Sequence, residues 1–186
     1  PAFPETGRTV YQGNLFVGLV PLNESPLKDH PLNPMHDSNL VRVLARQSRN
    51  GVGLVNLATL ARGADAIRSR LAELAGQGVG AAVIDAVFDQ DLETIGLVAA
   101  EHRLSVGASG LGLGLARALV KSGRAGAGAT AVSAAPVGGP AACLAGSCSQ
   151  ATLQQIAKAE TVMPVLHLDA DRIVAGPEEA RRAVAW

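Results

Sequence analysis

The feature that most constrains this chain is a near-continuous apolar run at residues 80–87, Gly-Ala-Ala-Val-Ile-Asp-Ala-Val, interrupted only by Asp85. Such a run offers no polar face to water, which is the pattern of a strand buried on both faces of a parallel sheet. Its neighbours keep a matching rhythm. Residues 63–76 place Ile67, Leu71 and Leu74 at i, i+4 and i+7 and predict a helix. Residues 51–57 predict a short apolar strand, 91–102 a helix, 104–108 a strand, and 111–121 a helix after a glycine turn. Strands alternating with helices are the signature of an α/β fold.

Upstream, residues 9–17 hold Val, Tyr, Leu and Phe at mostly strand-like spacing, Gly18 offers a turn, and 19–22 can return as a second strand. Residues 23–36 contain three prolines and predict an irregular loop, long enough to suggest a functional one. Asp37 or Ser38 can then cap a helix running to about Ser48. Downstream, residues 122–140 are rich in Gly and Ala with little bulk for a core, and predict a linker. The rhythm then resumes, with a strand at 141–145, a helix at Gln150–Ala159, a strand at 165–168 and a helix at 177–185. The expected architecture is therefore α/β: a mostly parallel sheet with helices on both faces in residues 1–121, and the start of a second α/β domain in 141–186.

Composition narrows the function. Lys plus Arg and Asp plus Glu number 16 each, so no basic field draws in nucleic acid or an anionic membrane. Aromatic residues make up 3%, too few for base-stacking platforms. No run of about 18 apolar residues predicts a membrane span. Cys143 and Cys148, spaced C-x4-C, form neither a zinc framework nor a disulfide lattice, and are expected to be reduced, buried thiols in a cytoplasmic protein. The start at Pro1 carries neither an initiator Met nor a signal peptide, which leads us to expect residues upstream of it.

Four constellations can carry chemistry. Arg8 can fork onto a carboxylate, and His30, His36, Asp37 and Ser38 offer donors and acceptors to a polyhydroxylated ligand; alternatively Asp37 or Ser38 is only a helix cap and Arg8 a surface charge. Asp85 stands near the carboxyl end of the buried strand, where open α/β sheets bind ligands, whereas Asp89 and Asp91 read as caps of the next helix. Gly107, Ser109, Gly110, Gly112 and Gly114 form a glycine-rich turn into a helix that suits an anion or, equally, close helix packing. That turn matches neither G-x-G-x-x-G nor a P-loop, which weakens an NAD-linked oxidoreductase reading. Gly146, Ser147 and Ser149 form a second small-residue turn before a helix. Cys148 as a nucleophile finds no spacing to His102 or His167 that supports a dyad.

Taken together, Pro1-Ala2-Phe3-Pro4, Thr6-Gly7-Arg8-Thr9-Val10, His30-Pro31-Leu32, Pro34-Met35, Asp37-Ser38-Asn39-Leu40, Val83-Ile84-Asp85-Ala86, Ser109-Gly110-Leu111 and Ala145-Gly146-Ser147-Cys148-Ser149 resemble the four-carbon acid sugar kinase family over nearly the whole chain. The resemblance implies an ATP-dependent kinase acting with Mg2+ on the terminal hydroxyl of 3-oxo-tetronate or a tetronate. It implies that 1–121 is the C-terminal part of a sugar-acid-binding domain and 141–186 the beginning of a nucleotide-binding domain. It carries substrate contacts to Arg8, His30, Asp37, Ser38, Asp85, Ser109 and Gly110, and ATP contacts to Gly146, Ser147 and Ser149. The family's Asp-Asp-x-Thr-Gly opening and its C-terminal glycine-rich loop are absent from this sequence, so no catalytic base is named and the 186 residues alone are expected to be inactive. Expected partners are a sugar acid and ATP, with a homo-oligomer left open. A non-enzymatic small-acid-binding module is the main alternative.

Overall fold

Residues 8–17 fold back on themselves. In the computed structural model, which describes residues 2–30, 32–126, 135–136 and 138–186, β1 (Arg8–Tyr11) and β2 (Asn14–Val17) form an antiparallel hairpin, with β3 (Val20–Pro21) added to β2. The single strand expected over 9–17 is thus two strands. The turn is Gln12-Gly13, with φ of 50° and 73°, the left-handed pair a two-residue hairpin needs to match strand twist. Val10 and Leu15 face each other across the pair and are buried in the core, while Arg8 and Tyr11, at the ends of β1, are exposed.

The loop after β3 is braced by two short 3-10 turns, Leu22–Glu24 and Pro26–Asp29. It leads into α1 (Leu40–Ala45), shorter than expected and capped by Asn39, whose side chain accepts from the Arg42 N–H; Asp37 and Ser38 lie ahead of the cap. β4 (Gly51–Val55) follows, then α2 (Leu57–Leu60) capped by Asn56, α3 (Ala64–Gly76) and β5 (Val79–Ile84). β4 and β5 pair in parallel, so residues 51–84 form one βαβ unit. Ile67 and Leu74 bury the inner face of α3, with Leu74 seated over Gly53 of β4.

α4 (Asp89–Ala99) and α5 (Ser109–Lys121) pack through glycine. A methyl group on Gly96 would collide with the Gly114 carbonyl oxygen, and one on Gly114 with the Leu92 carbonyl oxygen, so bare backbone is what lets the helices approach. Residues 104–108, expected as a strand, take up no regular secondary structure and pair with no strand among the described residues, with Leu104 and Val106 at least 80% exposed. Apolar residues do not make a strand where no neighbour takes up the ladder hydrogen bonds.

The chain divides into two compact units, residues 1–131 and 132–186. Of the linker expected at 122–140, residues 127–134 and 137 lie outside the described residues. The second unit carries α6 (Gln150–Ala159), α7 (Ala170–Ala175) and α8 (Glu178–Ala185). The strands expected at 141–145 and 165–168 are segments without regular secondary structure or a strand partner among the described residues. The fold is α/β. Its parallel part is the β4–β5 pair, and the other three strands are antiparallel, because a two-residue turn joins β1 to β2 and leaves no room for a crossover. No helix among the described residues is long and apolar enough to cross a membrane.

Candidate functional site

A cleft of about 650 Å3 opens beside the proline-containing loop, lined in part by Asn33, His36, Asp37, Ser38, Arg42 and Arg46. Its chemistry centres on Asp37. Arg42 forks onto the carboxylate, Nε donating to Oδ2 at 3.2 Å and Nη2 to Oδ1 at 2.7 Å. Arg46, one turn on, donates from Nη2 to Oδ2 at 2.9 Å, and the Asn39 N–H donates to Oδ1 at 3.0 Å. These bonds, the Arg42 side chain first and the Asn39 N–H second, pull the Asp37 carboxyl down to about 2. The same pair raises the Arg42 pKa, with Asp37 as its main cause. The Asp37 side chain is only 15% exposed while both arginine side chains are more than 60% exposed. The anion is thus sheltered and the cations face water.

Ser38 lies beside Asp37 and is tied to the hairpin. Its Oγ donates to Asn14 Oδ1 at 3.2 Å, and its carbonyl accepts from the Leu15 N–H. His30 does not line the cleft. Its Nδ1 accepts from the N–H groups of Leu32 and Asn33, which shapes the loop from behind. His36 is the histidine on the cleft wall.

Asp85 sits elsewhere and is fully buried. Its Oδ1 accepts from the Gly13 N–H at 2.8 Å, and Oδ2 accepts from Gln12 at 2.8 Å and Leu57 at 2.9 Å. The carboxyl group therefore clamps the hairpin turn to the start of α2, with no surface toward solvent. Asp91 supports the start of α4 from its third position, accepting from the N–H groups of Val87 and of Phe88, the N-cap.

Arg8 and Gly110 both meet Phe3, and Ser109 precedes Gly110 at the start of α5. The Phe3 backbone pairs with Arg8 in both directions. Gly110 is buried against Ala2, Phe3 and Leu92, so its missing side chain serves close packing. Arg8 and Ser109 are exposed. The seven residues expected on the substrate side thus fall into separate places: Asp37 and Ser38 on the cleft, Arg8, Ser109 and Gly110 near Phe3, Asp85 inside, His30 behind the loop. Arg42 and Arg46 were not among the expected site residues. The available signal was their i, i+4 spacing, which puts two cations on one helix face.

In the second unit, Gly146, Ser147 and Ser149 are exposed ahead of α6. Ser149 caps that helix by accepting from the Thr152 N–H, and Ser147 Oγ accepts from the Ser149 N–H. Cys143 and Cys148 are free and exposed, not buried as expected, because the segment around them packs against no core. His167 pairs through Nε2 with Glu160 at 2.6 Å. Glu179, 3% exposed, is held by Arg182 and accepts from the Asp169 N–H, which lowers its carboxyl to about 2.

Residues 1–115 match the family model described as a sugar-binding N-terminal domain. A Methylobacterium radiotolerans protein named 3-oxo-tetronate kinase is 64% identical over the whole chain, which spans 44% of that relative. A solved Haemophilus influenzae structure, titled as a member of a family of unknown function, is 36% identical with a TM-score of 0.68, covering the whole chain and 44% of its own. A Salmonella typhimurium LT2 structure titled a putative tRNA synthase is 41% identical with a TM-score of 0.73, covering 92% of the chain and 40% of its own. The chain thus spans less than half the length of these relatives.

Proposed function

Because this chain belongs to the sugar-binding N-terminal domain family of the four-carbon acid sugar kinases, we propose that it is the sugar-acid-binding part of an ATP-dependent kinase that phosphorylates 3-oxo-tetronate or a tetronate on its terminal hydroxyl. The observation that carries this reading is the 64% identity, along the entire chain, to a protein named 3-oxo-tetronate kinase. The cleft supports it chemically. Arg42 and Arg46 suit an acid group, while Asn33, His36 and Ser38 suit hydroxyls. An RNA substrate, which the label on the Salmonella relative would suggest, finds no support in a chain with 16 basic and 16 acidic residues.

In this reading residues 1–121 belong to the sugar-acid domain and its mostly parallel sheet, 122–140 link the domains, and 141–186 begin the nucleotide domain. Gly146, Ser147 and Ser149, exposed residues at the start of α6, would hold ATP phosphate once the bonds within this turn rearrange around it. In the same reading Mg2+ arrives with the nucleotide, held chiefly by its phosphates. Such a reaction rests on positioning and charge neutralisation. Arg8 and Ser109, exposed near Phe3, are the remaining substrate contacts to test, and a cytoplasmic location is part of the same reading. The test is a coupled ATP-consumption screen of the full-length protein over four-carbon sugar acids. Turnover of 3-oxo-tetronate or a tetronate is expected; ATP consumption with none of them would overturn the assignment.

A further inference from the structure

We propose that Arg42 and Arg46 are the groups that recognise the carboxylate of the acid, with Asp37 as the positioning residue that aims them. This rests on the reading that the cleft holds the sugar acid. Three observations converge. Two guanidiniums share one carboxylate, so the cluster carries a net charge of one positive unit toward the cleft, the complement of a single carboxylate. Donors are left over. Arg42 uses Nε and Nη2 on Asp37 and Arg46 uses only Nη2, so the Nη1 of each and the Nε of Arg46 have no partner among the described residues. Both side chains line the cleft, Arg42 from α1 and Arg46 from its C-cap, and both are more than 60% exposed.

The division of labour follows from the geometry. A guanidinium fork reads a planar oxyanion well only when its plane is fixed, and long arginine side chains are otherwise free to rotate. Asp37, sheltered and held by the Asn39 N–H, fixes the plane of Arg42 and one nitrogen of Arg46 without neutralising the pair. The Asp37 to Arg42 spacing across the helix start makes this arrangement available before ligand arrives. Neutral groups on the same wall, Asn33 and Ser38, would then meet hydroxyls and not the acid.

The experiment is steady-state kinetics of the full-length protein with Arg46→Gln, Arg46→Lys and Asp37→Asn. Losing one charge-assisted contact corresponds to about a 10- to 100-fold rise in KM for the acid, with kcat and the KM for ATP within about threefold of the parent. Arg46→Lys recovers part of that loss, and Asp37→Asn raises the acid KM by a smaller factor. A neutral four-carbon polyol, offered as competitor, binds parent and Arg46→Gln equally. An unchanged acid KM in Arg46→Gln overturns the inference while leaving the kinase reading intact. A raised KM for ATP instead assigns the pair to nucleotide phosphate and also overturns it. A parent protein that turns over no four-carbon acid overturns both. A melting temperature matching the parent's confirms that Arg46→Gln is folded.

Discussion

Replacing Asp85 with Asn separates the two roles a buried acid at a strand end can have. The native carboxyl group takes three backbone N–H groups on two oxygens. An amide keeps one oxygen. In its better orientation it holds Gln12 and Leu57 and turns an NH2 group toward the Gly13 N–H, leaving two donors face to face. One charge-assisted bond lost, two weakened and a buried donor orphaned come to about 2–4 kcal/mol. With a urea m-value of a few kcal/mol per molar, the midpoint falls by about 1–2 M at constant m. Urea denaturation followed by circular dichroism measures this directly. Because Gln12 and Gly13 both have positive φ, the hairpin turn depends on the clamp, and limited proteolysis is expected to cut there first in the variant. A variant within about 0.5 kcal/mol of parent stability that nonetheless loses sugar-acid binding would refute the clamp and restore Asp85 as a ligand contact.

Other consequences follow from particular contacts. Gly114→Ala should destabilise by about 2–3 kcal/mol, read by denaturant melt, since the added methyl meets helix backbone and not a movable side chain. The Asp37 and Glu179 carboxyls are both lowered in the folded chain to about 2, from usual values of 3.8 and 4.5. Their contribution to stability is full above those usual values and is lost as pH falls toward 2; Asp37→Asn should flatten the acid limb of a stability-versus-pH curve. Gln12→Asn should stabilise by about 0.5 kcal/mol, seen as a higher melting temperature, because Asn adopts positive φ more readily.

Much of the fold was legible because its signals are local. The first part of the apolar run at 80–87 became β5, which ends at Ile84 and is only partly buried because it has a single parallel partner, and the Ile67, Leu71, Leu74 spacing became α3 with Ile67 and Leu74 buried. The extent of α6 also followed from its sequence. The misses share a different cause: each depended on a distant partner. Residues 104–108 are apolar enough for a strand but have no ladder neighbour. The 9–17 segment reads as one strand until the positive φ of Gln12 and Gly13 is known, and that turn is locked by Asp85, more than 70 residues away. Asn39 caps α1 in place of Asp37, which lies two residues before the cap and binds the two arginines instead. Of the residues lining the cleft, Asp37 and Ser38 stand in a motif visible in the sequence, whereas Arg42 and Arg46 lie in a stretch dominated by Leu and Val.

The measurement that bears most directly on the central claim is phosphorus NMR of the full-length protein with Mg-ATP and 3-oxo-tetronate. The account predicts a new phosphomonoester resonance that grows as the γ-phosphate of ATP disappears. Release of inorganic phosphate alone, or no change with any four-carbon sugar acid, would contradict it.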